Sequence, residues 1–422
     1  MGVFNGNLAA AKQELVDRLN AKISTSIPFI QKRVNLGRGQ ITKGTRTHGI
    51  MHFYVPASGN AQVGQVTGVA QSATESVLDL SKRPRNSSFF KKECYAQNAS
   101  DILEYSNFEE IFQLDDYQKD LVKPRGEKMA HTIEADIVNR NWAKAGGAIV
   151  SDTADFLVLS RAAAELQSIK ATGDWTGYIS PMLHSYLASS PMRMDIRPPE
   201  SRVQEMYGKS SIGMFANVDW VSEPFMPIFT AGGDIGSSVT VAENVDTQGA
   251  DTITLSGVTS GVTIKKGTPI KIKGVYEVTV SGVKQSYEKK LIVQEDATAD
   301  GSGVTVKVIP IYFNSDDGYT NTVWVDGGKG IPAGAEVTML VEAGADYYVG
   351  LVRDAEAFNW TPFEWPELLA LENTTSSTDD LTIQLAAGGE ILQRTNVMRM
   401  DCPYFGDIID ERAVRTLFVK CP

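Results

Sequence analysis

The middle of the chain changes character abruptly, and this change limits the folds that are possible. From residue 232 to residue 345 the sequence consists of short runs in which Val, Ile and Thr alternate with polar residues, separated by Gly, Asp and Asn. Short alternating runs at regular spacing, with turn residues between them, predict a small antiparallel barrel or sandwich. We expect its strands at residues 237–242, 252–255, 269–281, 288–294, 303–311 and 336–342.

The segments before and after this block mix helical and extended patterns, so we interpret the block as an inserted domain. Gly-rich stretches at 232–236 and 344–350 would serve as its two hinges. Insertions of this kind are tolerated where the parent domain has a surface loop.

The longest helix is expected before the insertion, at residues 107–146, where apolar residues recur at near-helical spacing. Pro124 and Gly126 should disturb its start, because proline removes a helical hydrogen bond and glycine is flexible. Gly146 and Gly147 should end it.

Two shorter helices are expected between this helix and the insertion. Residues 152–170 have a helical pattern, with Asp152 as a candidate N-cap. Further on, a strand should pass into a short helix at Pro181, since proline is favoured in the first turn of a helix.

The N-terminal part predicts two arms. Residues 8–25 form an amphipathic helical pattern that Pro28 ends, and this helix could pack on its own domain or be exchanged with another subunit. From Gly49 to Cys94 the pattern is extended, with strands at "GIMHFYVP" and "TESVLDLS" around a stretch almost free of core residues. The run "KRPRNSSFFKKE" then adds five cations, so we expect a long β-arm that reaches away from the body.

Charge is distributed unevenly along the 422 residues. The formal net charge is −11, but residues 1–95 hold 13 Lys and Arg against 5 Asp and Glu, so this part carries +8 and the remainder −19. A basic quarter joined to an acidic body suggests self-complementary association, although it could also be a surface asymmetry without function. No apolar run approaches the roughly 20 residues of a membrane span.

The sequence contains little material for catalysis or metal binding. It has four histidines and lacks the common nucleophile, zinc and Walker A motifs; Glu127, His131 and Glu134 share a predicted helix face but have no second matching pair. The three cysteines, Cys94, Cys402 and Cys421, fit neither a disulfide framework nor a zinc site, so we expect reduced thiols made in a cytosol. The first residues have neither the basic nor the apolar part of a signal peptide, so we expect none. We expect no catalytic residue, no cofactor and no metal.

The order of these parts resembles the major capsid proteins of tailed phages. It is similar to the coat proteins of the HK-ninety-seven-type fold, and among them to the P-twenty-two-like coat family with an inserted β-barrel. The most specific match is "ITLSG…GVTIKKGTPIKIKGVYEV" followed by "KLIVQEDATADGSGVTVKVIPIY". The segments "YVGLVRDAEAFNWTPFEWPE" and "DERAVRTLFVK" resemble the return into the family's A domain and its closing strand.

The resemblance implies an α+β fold with the following parts: N-terminal arm 1–34, E-loop and flanking strands 35–95, P domain with a long spine helix 96–150, first part of the A domain 151–231, inserted β-barrel 232–345, and second A/P part 346–422. It implies hexamers and pentamers of the chain itself, a scaffolding protein, a portal protein, and double-stranded DNA enclosed without sequence-specific binding. The protein would lie in the virion capsid after assembly in the host bacterial cytoplasm.

Two sets of contact residues follow from the resemblance by position. The E-loop cations would contact acidic surface on a neighbouring subunit: Lys82, Arg83, Arg85, Lys91 and Lys92. The N-terminal arm would contact scaffolding protein through Glu14, Asp17 and Lys22.

The chain departs from the family pattern in the inserted domain. The loop that bridges capsomers in the family is long, whereas its counterpart here, residues 243–251, is short. Two other functions are also considered. A virion adhesive protein with a sugar-binding β-domain would need an aromatic-lined cleft, and an enzyme with a β-insertion would need a clustered acid–base pair.

Overall fold

The computed structural model of the chain describes most of the sequence. The described residues are Gln13, Asp17 and Asn20 and the ranges 50–56, 89–106, 123–170, 173–189, 213–280, 283–301, 303–313, 320–324, 330–364, 372–377, 381–390 and 395–421. Within these residues the fold is α+β, with many strands and few helices.

The helices are α1 Lys123–Asn141, α2 Phe156–Ile169 and α3 Pro181–Ser189, and there are 3-10 turns at Ala355–Ala357 and Glu411–Ala413. The strands are β1 Ile50–Pro56, β2 Phe89–Tyr95, β3 Gln97–Ser106, β4 Gly147–Ser151, β5 Trp175–Ile179, β6 Gly213–Phe215, β7 Val218–Ser222, β8 Ile228–Thr230, β9 Thr240–Val241, β10 Ala250–Ser256, β11 Thr263–Ile264, β12 Pro269–Val278, β13 Lys284–Ile292, β14 Ala297–Thr298, β15 Val304–Ile311, β16 Thr322–Trp324, β17 Val337–Met339, β18 Asp346–Asp354, β19 Phe358–Pro362, β20 Glu372–Ser377, β21 Thr382–Glu390, β22 Thr395–Ile408 and β23 Val414–Lys420.

A seven-stranded mixed sheet forms the centre of the body. Its order is β4-β23-β18-β5-β7-β6, with β8 also paired to β18, and the pairs β4–β23 and β5–β7 are parallel. Successive side chains of strand β18 point to opposite faces of the sheet, and each face is covered by its own core. Leu351 belongs to the core shared with α1, while Val352 belongs to the core under α2 and α3.

A second sheet shares its core with α1. Its order is β19-β22-β21-β20, with β3 paired along ten residues of β22. The buried face of α1, with Met129, Ile133 and Ile137, clusters with Leu385 and Met400 of this sheet and with residues of the seven-stranded sheet. This helix therefore joins the two sheets through one core.

Residues 240–339 form a separate group of antiparallel strands around their own apolar core. The pairings give a three-stranded sheet β15-β10-β9, the pair β11–β14, and a sheet β13-β12-β16 to which β17 adds. The core residues include Ile253, Leu255, Ile270 and Val306. The described pairings leave three sheets rather than one closed ladder, so closure into a barrel stays a prediction.

The chain enters and leaves this group at one place. The backbone N–H of Ala231 donates to the carbonyl of Ala345 at 2.9 Å, and that of Gly344 donates to Gly232 at 3.0 Å. This crossing involves Gly232, at the start of the stretch 232–236 that the sequence suggests as a hinge, and Ala231 just before it. The second was predicted too long, because β18 begins at Asp346 and is held in the seven-stranded sheet by β8.

Other sequence predictions differ from the structure in their bounds. All six strands predicted within the insertion are present, some of them shorter, and β11, β14 and β16 are additional. The second helix is capped by Asp155, whose Oδ1 accepts from the N–H of Leu157 at 2.9 Å; Asp152 was the wrong N-cap because it lies before that turn.

The predicted long helix is described only from Lys123, and its residues 107–122 lie outside the described ranges. Pro124 lies in its first turn, where the missing N–H costs no hydrogen bond. The helix ends at Asn141, before Gly146, since Trp142 begins a turn there. The described helices include none that is both long and apolar enough to cross a membrane.

Candidate functional site

The helix face considered for metal binding does not gather ligands. His131 is exposed, and the centroid of its ring lies 5.6 Å from that of Phe225, whereas the neighbouring Glu134 is buried. The described residues contain no group of three His, Cys, Asp or Glu that could hold a metal ion.

A buried polar cluster links β5, β7 and β18 near α1. Nη2 of Arg353 donates to the hydroxyl of Tyr178 at 2.9 Å, and the guanidinium lies 4.7 Å from the ring centroid of Phe358. Burial raises the pKa of Tyr178 to about 12, and burial also raises the pKa of Glu223. Because these groups are sealed from solvent, we interpret them as structural anchors rather than a reaction centre.

The basic arm begins as a two-stranded ribbon, formed by β1 and β2 in antiparallel register from Ile50↔Tyr95 to Pro56↔Phe89. The ammonium of Lys92 pairs with the carboxylate of Glu411 in the same chain. Lys91 is placed in β2 by its backbone, and its side chain lies outside the described part of the structure, as do Lys82, Arg83 and Arg85. The strand predicted at "TESVLDLS" also lies outside it.

The N-terminal helix is described at three residues, all of them helical. Nε2 of Gln13 donates to the carbonyl of Thr375 at 3.3 Å, and Nδ2 of the buried Asn20 donates to that of Leu381 at 3.1 Å. Asp17 is exposed and accepts from Gln13 at 3.1 Å. In this structure the helix therefore packs on its own body beside β20 and β21. The positions Glu14 and Lys22 are not among the described residues.

The sheets of residues 240–339, called the inserted sheets below, contact the rest of the chain through buried charges. Nη2 of Arg415, in β23, donates to Oε1 of Glu277, in β12, at 2.7 Å, and its Nε lies 3.6 Å from Oε2 of Glu165 in α2. The side chain of Arg415 is 0% exposed and that of Glu277 is 5% exposed. Although burial opposes its charge, the two carboxylates hold the pKa of Arg415 above its usual value.

Further contacts complete this docking surface. Nζ of Lys290 lies 2.8 Å from Oε1 of Glu165, and Nε2 of Gln294 donates to the carbonyl of Ala143 at 2.8 Å. Gly267 has a φ of +95° and lies so close to the indole of Trp142 that a Cβ would collide with the ring. The inserted sheets and the end of α1 are thus in tight contact.

Lys289 is buried inside the inserted sheets close to this surface. Its Nζ donates to the carbonyl of Asn321 at 2.7 Å and lies 3.1 Å from Oγ1 of Thr322. Burial lowers its pKa to about 8, against the attraction of Glu277 and Glu411.

The insertion shows little sign of a sugar site in its described residues. A cavity of about 600 Å³ at its base is lined by residues that include Asp234, Glu336 and Met339, with no aromatic side chain among them. Tyr276 is covered by Nζ of Lys284 at 4.0 Å from the ring centroid, and Phe313 is fully buried.

The short loop at 243–251 is fastened to the insertion. Oδ1 of Asn244 accepts from the N–H of Ala333 at 2.8 Å, and Oε1 of Gln248 accepts from the N–H of Phe313 at 3.0 Å. The loop therefore lies close to its own domain in the single chain.

An apolar patch is exposed on the body near β8. Ile228 is 58% exposed and pairs in register with Tyr348, whose ring lies 5.6 Å from that of Tyr186. Met182, one helical turn before Tyr186 in α3, is 54% exposed. Clustered exposed apolar side chains are typical of contact surfaces between proteins.

Sequence reasoning missed the docking surface. Arg415 lies in a strand whose other residues are mostly apolar, and a charged residue in such a strand must be paired if it is buried. An arginine in this strand therefore signals a buried ion pair. Its partner Glu277 is 138 residues away in the sequence, so spacing could not identify it.

Comparison with known proteins gives low similarity throughout. No protein-family model matches the chain, and no curated protein matches it. Among solved structures, the capsid of Ralstonia phage GP4 has a TM-score of 0.42 and 9% identity, over 89% of this chain and 84% of that chain. The head structure of Helicobacter pylori bacteriophage KHP40 has a TM-score of 0.40 and 10% identity, over 89% and 85%.

A third solved structure is the holo-SrpI encapsulin complex from Synechococcus elongatus, with a TM-score of 0.39 and 6% identity over 88% of this chain and 82% of that chain.

Proposed function

We propose that the chain is the major capsid protein of a tailed phage, which assembles with a scaffolding protein into an icosahedral shell around double-stranded DNA. The path of the chain around its insertion carries this proposal. The chain leaves the seven-stranded sheet after β8, builds the inserted sheets, and returns as β18 directly beside β8. This is the order of parts that the sequence resemblance implies for the coat family with an inserted domain.

The arms fit a protein that binds copies of itself. The ribbon β1–β2 leads to the cations of residues 82–92, and the part of the chain after residue 95 carries −19. A basic arm on one subunit and an acidic surface on the next would set the register of assembly and make it sensitive to salt. The apolar patch around Tyr186 supplies further surface that hexamers and pentamers would bury.

The remaining partners belong to the same proposal. An acidic inner wall would keep packed DNA from adhering, because the phosphate backbone is repelled by carboxylates. The N-terminal helix would contact scaffolding protein, and one vertex of the shell would hold the portal protein. The adhesive alternative is not favoured by any described contact, since the cavity in the insertion has no aromatic lining.

The test is cryo-electron microscopy of the high-speed pellet from cells that express this chain alone, and then with a candidate scaffolding protein. Closed shells, spirals or tubes built from hexamer-like units are expected. A chain that stays monomeric with the scaffolding protein and at high concentration would remove the proposal, and the insertion would then be assayed as a binding domain.

A further inference from the structure

One short turn contacts the ribbon, the segment after α1 and the arginine that holds the inserted sheets. The 3-10 turn Glu411–Ala413 joins the ends of β22 and β23, and the carboxylate of Glu411 pairs with Lys92 at the root of the ribbon. The carbonyl of Glu411 accepts from the N–H of Gly146, just after α1, at 2.8 Å. The carbonyl of Arg412 accepts from Nη1 of Arg415 at 2.9 Å. Arg415 in turn holds the inserted sheets through Glu277.

The turn has little freedom to move without disturbing these contacts. A Cβ at Gly146 would collide with the carbonyl oxygen of Glu411, so backbone lies directly against backbone there. The guanidinium of Arg412 makes two hydrogen bonds to Asp410, each of 2.9 Å, and its side chain is 2% exposed. Closely packed interiors transmit small displacements, because neighbouring groups cannot give way independently.

We propose that this turn couples the position of the β1–β2 ribbon to the docking of the inserted sheets. When Lys92 leaves Glu411, a carboxylate whose side chain is only 6% exposed loses one ammonium and keeps the attraction of Lys289 in the inserted sheets, so the balance of charges that holds the turn changes. The turn shifts with it and carries the carbonyl of Arg412 away from Arg415. The guanidinium of Arg415 then loses part of the geometry that holds Glu277, and the insertion loosens.

The coupling is a property of the single subunit and does not depend on the capsid assignment. One consequence does rest on the proposed function. An acidic surface of a neighbouring subunit that draws Lys92 from Glu411 would loosen the insertion through the turn, and by reciprocity a change in docking at Glu277 would alter how firmly the ribbon is held.

The experiment measures amide hydrogen exchange in the full chain, kept monomeric, by mass spectrometry. In Lys92→Met we expect exchange at residues 275–280 and 411–416 to be at least about fivefold faster than in the unaltered chain, which is the lower end of common coupling factors. Exchange in β10 and in β5 should be unchanged. Adding Arg415→Met to Lys92→Met should accelerate residues 275–280 no more than Arg415→Met alone, since both act along one path.

The matched control is Lys128→Met. Lys128 is 66% exposed and pairs with Asp101 of β3 at 3.1 Å, and its removal leaves Asp101 bound to Arg125 at 2.6 Å. The substitution Lys128→Met should leave amide exchange in the inserted sheets unchanged. Lys92→Gln, which keeps a hydrogen-bond donor, provides a milder variant that should give a smaller change in the same segments. The proposal is overturned if either Lys92 variant affects only the ribbon and the turn, if all strands accelerate equally, or if Lys128→Met acts as Lys92→Met does.

Discussion

Nη2 of Arg415 lies 2.7 Å from Oε1 of Glu277, and this contact joins the closing strand of the body to the inserted sheets within a region sealed from solvent. Removing one member of a buried ion pair leaves the other charge uncompensated, which costs more than the pair itself contributes. The relation between these two residues therefore governs how the insertion is held.

We expect Arg415→Met to lower the free energy of unfolding by about 3 kcal/mol, because it leaves Glu277 buried without its guanidinium. Adding Glu277→Met should recover a large part of that loss, since two apolar side chains can replace a buried pair. Urea unfolding followed by circular dichroism and tryptophan fluorescence measures both. The control is Lys273→Met, whose exposed pair with Glu336 should contribute less than about 1 kcal/mol. Equal effects of the Arg415 and Lys273 variants would contradict the prediction.

The contact between Gly267 and Trp142 predicts a second effect on docking. Both Gly267 and Gly261 have positive φ, so alanine is strained at either position, but only Gly267 faces an indole ring that a Cβ would strike. Gly267→Ala should therefore destabilise the chain by about 1–3 kcal/mol more than Gly261→Ala does. Thermal unfolding of the two variants side by side checks this, and indistinguishable midpoints would mean that the indole is not held against the insertion.

Lys289 predicts a dependence of stability on pH. Its folded pKa of about 8 lies below its ordinary value of 10.5, so between these values the unfolded chain binds a proton that the folded chain has lost. The free energy of unfolding should rise as the pH increases through this window, by up to about 3 kcal/mol, and the cost of the buried charge is fully present below pH 8. The difference between the unaltered chain and Lys289→Met isolates this residue from other groups that titrate there. A difference that stays constant from pH 7 to pH 10.5 would show that Lys289 is not desolvated.

The basic arm predicts an effect on assembly. Charge reversal of Arg83 and Arg85 to Glu should abolish or strongly slow shell formation while the monomer keeps its circular dichroism spectrum, because both positions would then repel acidic partner surface. Light scattering and sedimentation at low and high salt measure the rate and extent of shell formation. Unchanged assembly would mean that Arg83 and Arg85 do not contact the neighbouring subunit. It would not test Lys92, which pairs with Glu411 in the same chain.

The N-terminal helix predicts an effect on the scaffolding protein. Charge reversal of Glu14 and Asp17 should weaken co-sedimentation with scaffolding protein at low salt, since Asp17 is exposed while Gln13 and Asn20 hold the helix on the body. Asn20→Ala is the companion variant. This substitution should loosen the helix from the body, because it removes the hydrogen bond from Asn20 to the carbonyl of Leu381. If the variant with reversed charges at Glu14 and Asp17 still co-sediments with scaffolding protein, the contact lies elsewhere.

The sequence alone determined that the middle of the chain consists of short antiparallel strands. Alternation with a period of two and Gly or Asp turns are local signals, so the six predicted strands were found at the expected places. The helix at Pro181 was likewise predicted from one residue and its neighbours. Even local signals placed the N-cap three residues too early, because Asp152 and Asp155 are chemically equivalent until the turn selects one.

Only the tertiary structure decided which charges meet. The sequence identified the cations of the arm but not that Lys92 reaches Glu411, and it did not identify the pairing of Arg415 with Glu277. Secondary structure follows from residues a few positions apart, whereas an ion pair between distant segments depends on how sheets and helices pack together. Burial increases the effect of such a pair on stability, because a charge removed from water is costly unless the fold supplies a partner.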